Sequence, residues 1–152
     1  MGLALIDKDE ILDGLFETKG AGDVEWRRAL SRESDAMLQA HALASKGAVI
    51  VSHWRVPGMP ATSGTPTDWL KSVPGTLVHV RCSCPAQIAA SRFARRRRHP
   101  GHLDAMRSPE EIRASIDALA RLPQLAIEPL IDVDTSAEPD LDALLSHLRP
   151  WN

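Results

Sequence analysis

The sequence predicts an α/β protein built on a mostly parallel sheet. Two observations point to it. Short apolar runs, several of them β-branched, alternate along the chain with longer stretches of helical periodicity. Each run is too short for a helix and is closed by charged or turn-forming residues, which is the pattern of successive βαβ units.

Taken in order, Leu3-Ala4-Leu5-Ile6 is the first run, stopped by acidic residues. Asp7 to Phe16 then carries Ile11, Leu12, Leu15 and Phe16 at helical spacing, with Asp7 and Glu10 placed as a capping box. Thr18 to Asp23 is a glycine-rich loop, and Trp26 to Ser45 is a second helix ended by Gly47. Ala48-Val49-Ile50-Val51 is apolar throughout, as a strand buried on both faces would be. Residues 57–66 (PGMPATSGTP) are loop by composition.

Leu77 to Cys82 forms the third strand, and Pro85 to Arg98 a helix with proline in its first turn. His99-Pro100-Gly101-His102 breaks that helix. Ser108 to Leu122 begins Ser-Pro-Glu-Glu, an N-cap followed by first-turn acids. Leu130 to Asp134 is the last strand. Asp140 to Leu148 closes the chain as a helix with Leu141, Leu144, Leu145 and Leu148 on one face.

The 152 residues fit one domain, residues 1–152, and 43% apolar with 25% charged residues allow an ordinary core. A net charge of −2 argues against attraction of the whole surface to nucleic acid or anionic membrane. No run approaches the roughly 20 apolar residues that span a bilayer, and Leu3 to Ile6 is too short for a signal peptide. Cys82 and Cys84, two apart in a strand, do not make a disulfide framework, so a cytoplasmic location is expected.

Three segments carry a resemblance. LIDKDEILDGLF resembles the second strand and following helix of small P-loop kinases. VHVRCSCPAQIAASRFARRRRHPGHLD resembles their fourth strand and arginine-bearing lid helix, and PLIDVDTS their fifth strand and nucleotide-side loop. The group includes the chloramphenicol phosphotransferase-like and zeta-toxin-like proteins, gluconate kinase and the polynucleotide kinases. The resemblance runs from Leu3 to Arg149. It implies a three-layer sheet of P-loop kinase type, a lid around residues 92–107, and transfer of the ATP γ-phosphoryl group to a small hydroxyl-bearing acceptor, with ATP and Mg²⁺ as cofactors.

The chain departs from the group in one respect. No stretch fits G-x-x-x-x-G-K-[ST], whose backbone amides, lysine and hydroxyl hold phosphates and Mg²⁺. In the group that motif follows the first strand, which lies centrally between the third and fourth. The expectation is an N-terminally truncated version of the fold, lacking the first strand and the P-loop. Such a chain is inactive as it stands; either the reading frame begins further upstream, or the chain repacks or self-associates to cover the missing strand.

The resemblance assigns the residues as follows. Asp9, after Lys8, is the closer match to the carboxylate that takes the acceptor's proton, with Asp7 beside it; both also read as N-terminal helix caps. Arg92, Arg96 and Arg98 match the lid, where planar guanidinium groups clamp a transferring phosphoryl group. Arg92 and Arg96, four apart, would share a helix face. The run Arg95 to Arg98 also reads as a solvated face or a polyanion contact. That supports a second reading, a non-catalytic remnant binding a protein partner or polyanion. A nucleic-acid module is the weaker case, with only Phe93 as a neighbouring aromatic.

His53, Trp54 and Arg55 follow the carboxyl edge of the apolar strand, where open parallel sheets bind ligands. Trp54 reads equally as pocket lining or core edge. His99 and His102 are placed to orient the lid or the acceptor, and Lys8 joins this substrate-side set. A zinc site from these histidines with Cys82 and Cys84 has the wrong spacing, and no metal ligand is assigned. Arg92 and Asp134 fall on the nucleotide side, Asp134-Thr135 serving otherwise to turn the chain.

Overall fold

In the computed structural model, which describes residues 2–151, the chain is α/β with two small parallel sheets. It divides into two compact units, Met1–Val73 with Arg97–Arg107, and Pro74–Arg96 with Ser108–Asn152.

The first unit is a βαβ arrangement with an extra helix. Strand β1 (Ala4–Asp7) leads directly into α1 (Lys8–Lys19), α2 follows (Val24–Ala44), and β2 (Ala48–Val51) lies parallel to β1 with Leu5 opposite Val49 and Asp7 opposite Val51. Asp7 caps α1, but its carboxylate accepts from the Asp9 amide, not across a reciprocal box with Glu10. Helix α1 also runs on through Thr18 and Lys19, whose expected place was a loop; the turn comes at Gly20, with φ of 83°. Asp23 caps α2 by accepting from the Trp26 amide.

The core of this unit forms where α1 meets α2: Leu12, Leu15, Phe16 and Leu30 are buried together, with Met37 packed against them. Strand β2 was expected to be buried on both faces and is not. Side chains alternate across a strand. Ile6 faces the helices and is buried, whereas Leu5, Val49 and Val51 share the opposite face and are 61%, 50% and 42% exposed.

Beyond β2 a short 3₁₀ turn, Asp68–Ser72, buries Trp69 and Leu70. The same unit contains residues 97–107, in which Pro100–His102 and Asp104–Met106 form single 3₁₀ turns.

The second unit pairs β3 (His79–Ser83) parallel with β4 (Leu130–Asp134), with α3 (Ala86–Arg95) and α4 (Pro109–Ala120) between them in sequence and α5 (Leu141–Leu148) after. Arg81 and Asp132 stand opposite one another in register and form a forked ion pair. Helix α4 opens with a complete capping box: the Ser108 hydroxyl accepts from the Glu111 amide, and the Glu111 carboxylate accepts from the Ser108 amide.

One expectation fails here. Helix α3 stops at Arg95, and Arg96 is extended with ψ of 144°, so Arg92 and Arg96 do not share a helix face. In α5, Leu144 and Leu148 are half-buried, but Leu141 and Leu145 are 62% and 46% exposed. Cys82 and Cys84 are free; Cys82 is exposed and Cys84 half-buried.

Candidate functional site

The carboxyl end of β1 concentrates the charge of the first unit. Because β1 passes into α1 without a loop, Asp7, Lys8 and Asp9 diverge around the first helical turn. Asp7 is used by the cap. Lys8 turns inward: its Nζ lies 2.5 Å from Asp35 Oδ1 on α2 and donates to the Thr65 hydroxyl at 3.0 Å. The Lys8 and Asp35 side chains are only 12% and 16% exposed. Thr65 is fully buried and shares a 2.6 Å hydrogen bond with the Ser52 hydroxyl at the end of β2.

Asp9 points outward and meets the 97–107 segment. Arg98 Nη2 is 2.6 Å from Asp9 Oδ2, and its Nη1 is 3.5 Å from Asp104 Oδ2. The candidate base and one arginine of the expected lid are thus in contact. Arg27 on α2 joins this field. Burial first, then Arg98, pushes its guanidinium pKa down, against the pull of Asp104 and Asp9. Its Nε is buried without a hydrogen-bond partner.

The segment is anchored by aromatic packing. His99 stacks on Phe16 at 5.1 Å and 14°, and His102 meets the same ring edge-on at 5.3 Å. Gly101 passes so close that a Cβ there would fall 2.6 Å from the ring, which explains the glycine between the histidines. His102 is buried, and its Nε2 bonds Asp13 Oδ1 at 2.6 Å. Burial dominates in pushing its pKa below the usual value, opposed by the Asp13 hydrogen bond. His99 Nδ1 accepts from the Gly101 amide. Leu103 follows in the left-handed region, φ 59°, a conformation a γ-branched side chain adopts at a cost.

His53 stands exposed after β2; the partial burial of its ring, then Lys8, pushes its pKa down while Asp9 opposes. Trp54 packs on the buried Trp69 at 6.2 Å and bridges to Thr65. Arg55 folds back on its own loop, donating through Nε to the Ser63 carbonyl and through Nη2 to that of Gly64.

The other expected site residues lie in the second unit. Arg92 donates to the Thr135 carbonyl and hydroxyl, tying α3 to the end of β4. Arg96 lies over the Phe93 ring, 3.9 Å from its centroid. Asp134 is exposed; its Oδ1 accepts from the Ser136 amide, and that bond holds its pKa below the usual carboxylate range.

Arg27, Asp35, Thr65, Asp13 and Asp104 were not anticipated. The signal for two of them was present in α2, where Arg27, Ser31 and Asp35 recur every four residues in an otherwise amphipathic helix. Thr65 carried none, lying in a stretch read only as loop. Among the described residues no group of three or more His, Cys, Asp or Glu side chains is arranged to hold a metal ion. None of the described helices is long and apolar enough to cross a membrane.

No protein-family model matches the sequence, and no curated protein does. A solved structure shares the fold: that of a candidate kinase from Chloroflexus aurantiacus J-10-fl. It aligns with a TM-score of 0.74 over 99% of this chain and 84% of that one, at 23% identity. Likeness at that identity is a statement about fold.

Proposed function

We propose that this chain carries the acceptor side of an ATP-dependent phosphotransferase of P-loop kinase type, acting on a small hydroxyl-bearing acceptor. The observation that carries the proposal is the contact between Asp9 at the end of β1 and Arg98 of the 97–107 segment. Phosphoryl transfer to a hydroxyl needs a carboxylate to align the nucleophile and take its proton, beside a cation for the phosphoryl oxygens. In this reading Asp9 holds the acceptor proton, and Arg98 moves from Asp9 to the incoming phosphoryl oxygens. The Lys8–Asp35–Thr65–Ser52 network fixes the strand end so that Asp9 is aimed outward.

The fold is consistent with this. A sheet of P-loop kinase type without its central strand leaves two parallel pairs, and two parallel pairs are present. The exposed Leu5, Val49 and Val51 form the kind of face that a strand and helix of such a fold would cover.

ATP and Mg²⁺ do not fit the residues at hand. The 152 residues contain no G-x-x-x-x-G-K-[ST]. At the end of β2, where a metal-supporting carboxylate would serve, stand Ser52 and His53, with the Ser52 hydroxyl engaged by Thr65. The chain therefore supplies the acceptor end of the transfer, and no step through the metal is assigned to it.

Calorimetric titration with Mg-ATP tests the reading, on the 152-residue chain and on the same chain lengthened by whatever is encoded in frame ahead of Met1. Binding by the lengthened form alone supports it. Binding by neither removes it, and tight binding by the 152-residue chain contradicts the missing-cradle argument.

A second reading has its own observation. Arg97 is exposed and makes no ion pair among the described residues, as a residue of a basic contact for a polyanionic or acidic partner would. That reading predicts binding that falls steeply with added salt and needs no nucleotide.

A further inference from the structure

The first unit contains a cavity of about 210 Å³ between α2 and the loop after β2. Arg27, Arg28 and Arg32 line it from the helix and Arg55 from the loop, with Asp35 as the one acidic wall. Asp35 brings no net negative charge, because Lys8 sits 2.5 Å from its carboxylate. Arg28 is shared with Glu25 on its outer side at 2.5 Å. Arg55 uses Nε and Nη2 on backbone carbonyls, which fixes its guanidinium as part of the wall. Arg32 makes no ion pair among the described residues, and the Nε of Arg27 is buried without a partner. The cavity is thus a concave surface with a surplus of positive charge and unused donors.

Gly64, in the left-handed region at φ 69°, approaches the Arg55 backbone so closely that a Cβ would lie 2.9 Å from the Arg55 Cα. A side chain there would meet the Arg55 backbone, so glycine permits the approach of the loop to Arg55.

We infer that this cavity binds an oxyanionic group, a phosphate or a carboxylate, carried by the small acceptor itself. Ligand pockets for whole drug-sized molecules run from roughly 300 Å³ upward, so about 210 Å³ suits one anionic end of a small molecule, not a nucleotide. Planar guanidinium groups match phosphate and carboxylate oxygens two at a time. Arg27 joins the cavity to the proposed transfer site, since it lines the one and shares a field with Asp9, Arg98 and Asp104 of the other. An acceptor with its hydroxyl at Asp9 and its anionic group in the cavity would span the two. The inference rests on the phosphotransferase reading for the identity of the ligand, but not for anion binding as such.

The test is calorimetric titration of the 152-residue chain with inorganic phosphate, and separately with malonate, at constant ionic strength set by chloride. The chain has no G-x-x-x-x-G-K-[ST] loop to contribute a competing phosphate cradle. One-site saturable binding is expected, weakened about tenfold, the loss of one charge-assisted contact, in Arg32→Gln and at least as much in Arg27→Gln. Arg32 is exposed, so its variant keeps the test valid if Arg27→Gln unfolds. Preference for phosphate assigns a phosphorylated acceptor, and preference for malonate a carboxylate one. No saturable binding of either anion, or binding that neither substitution weakens, overturns the inference whatever a phosphotransfer assay gives. Arginine-dependent anion binding, with no Mg-ATP binding by the chain lengthened ahead of Met1, upholds the cavity and removes the kinase reading instead.

Discussion

Lys8 and Asp9 are adjacent in sequence and opposite in consequence. Lys8 is committed inside, to Asp35 and Thr65; Asp9 is 56% exposed and reaches Arg98. Removing one partner of a largely buried ion pair leaves the other charge uncompensated, at a cost of roughly 3–5 kcal/mol. Lys8→Met should therefore lower the unfolding free energy by about that amount in a denaturant titration, while Asp9→Asn should cost clearly less, because Asp9 is exposed and Arg98 keeps Asp104. In a form that turns over, Asp9→Asn should instead reduce kcat by roughly 10²–10⁴, the usual contribution of a positioned general base. Equal small effects of both substitutions would contradict the division of labour. The sequence placed Lys8 on the substrate side, and its engagement with Asp35 and Thr65 could not be read there. Its partners lie 27 and 57 residues away and only tertiary packing brings them in.

His102 gives a pH dependence at the same scale. Its pKa in the folded chain is depressed by burial, so between that value and the unfolded value of about 6.5 the unfolded chain binds more protons. Stability then rises with pH through this window. The contribution is present above about 6.5 and lost as pH falls below it. His102→Gln should flatten this part of the stability profile; an unchanged profile would mean that His102 is not the titrating group.

At the scale of elements, the strands and helices were legible because apolar runs and helical periodicity are local. Leu130–Asp134 and Ala48–Val51 lie where the runs place them, and the caps at Asp23, Ser108 and Asp140 start their helices. Ser108→Ala should cost α4 roughly 0.5–2 kcal/mol, read as lower amide protection in its first turn. What periodicity could not give was the end of α3. Arginine is a good helix former, so the run Arg95 to Arg98 extends the pattern in sequence. In the fold the chain leaves the helix at Arg96 and passes into the Phe16-anchored turn. The glycine of that turn was read only as a helix breaker; its packing against Phe16 explains it. Gly101→Ala should clash with the ring and destabilise the first unit by roughly 1–3 kcal/mol, loosening the segment that carries Arg98. A wild-type melting curve for that variant would refute the packing account.

At the scale of the molecule, the α/β class was legible and the exposure of one sheet face was not. A continuous apolar run such as Ala48–Val51 reads as buried on both sides, yet Leu5, Val49 and Val51 lie open. Sequence pattern reports what a segment is suited to, and the set of segments present decides what covers it. The chain should bind a hydrophobic dye in its native state, and Val49→Thr should reduce that signal without changing the far-ultraviolet spectrum.

The central claim is that Asp9 and Arg98 form the acceptor end of a phosphotransferase whose nucleotide cradle is not among these 152 residues. Mg-ATP titration of the chain, with and without the sequence encoded in frame ahead of Met1, tests it most directly. The account predicts saturable heat from the lengthened chain and none from the 152 residues alone. Tight binding by the 152 residues, or silence from both, would contradict it.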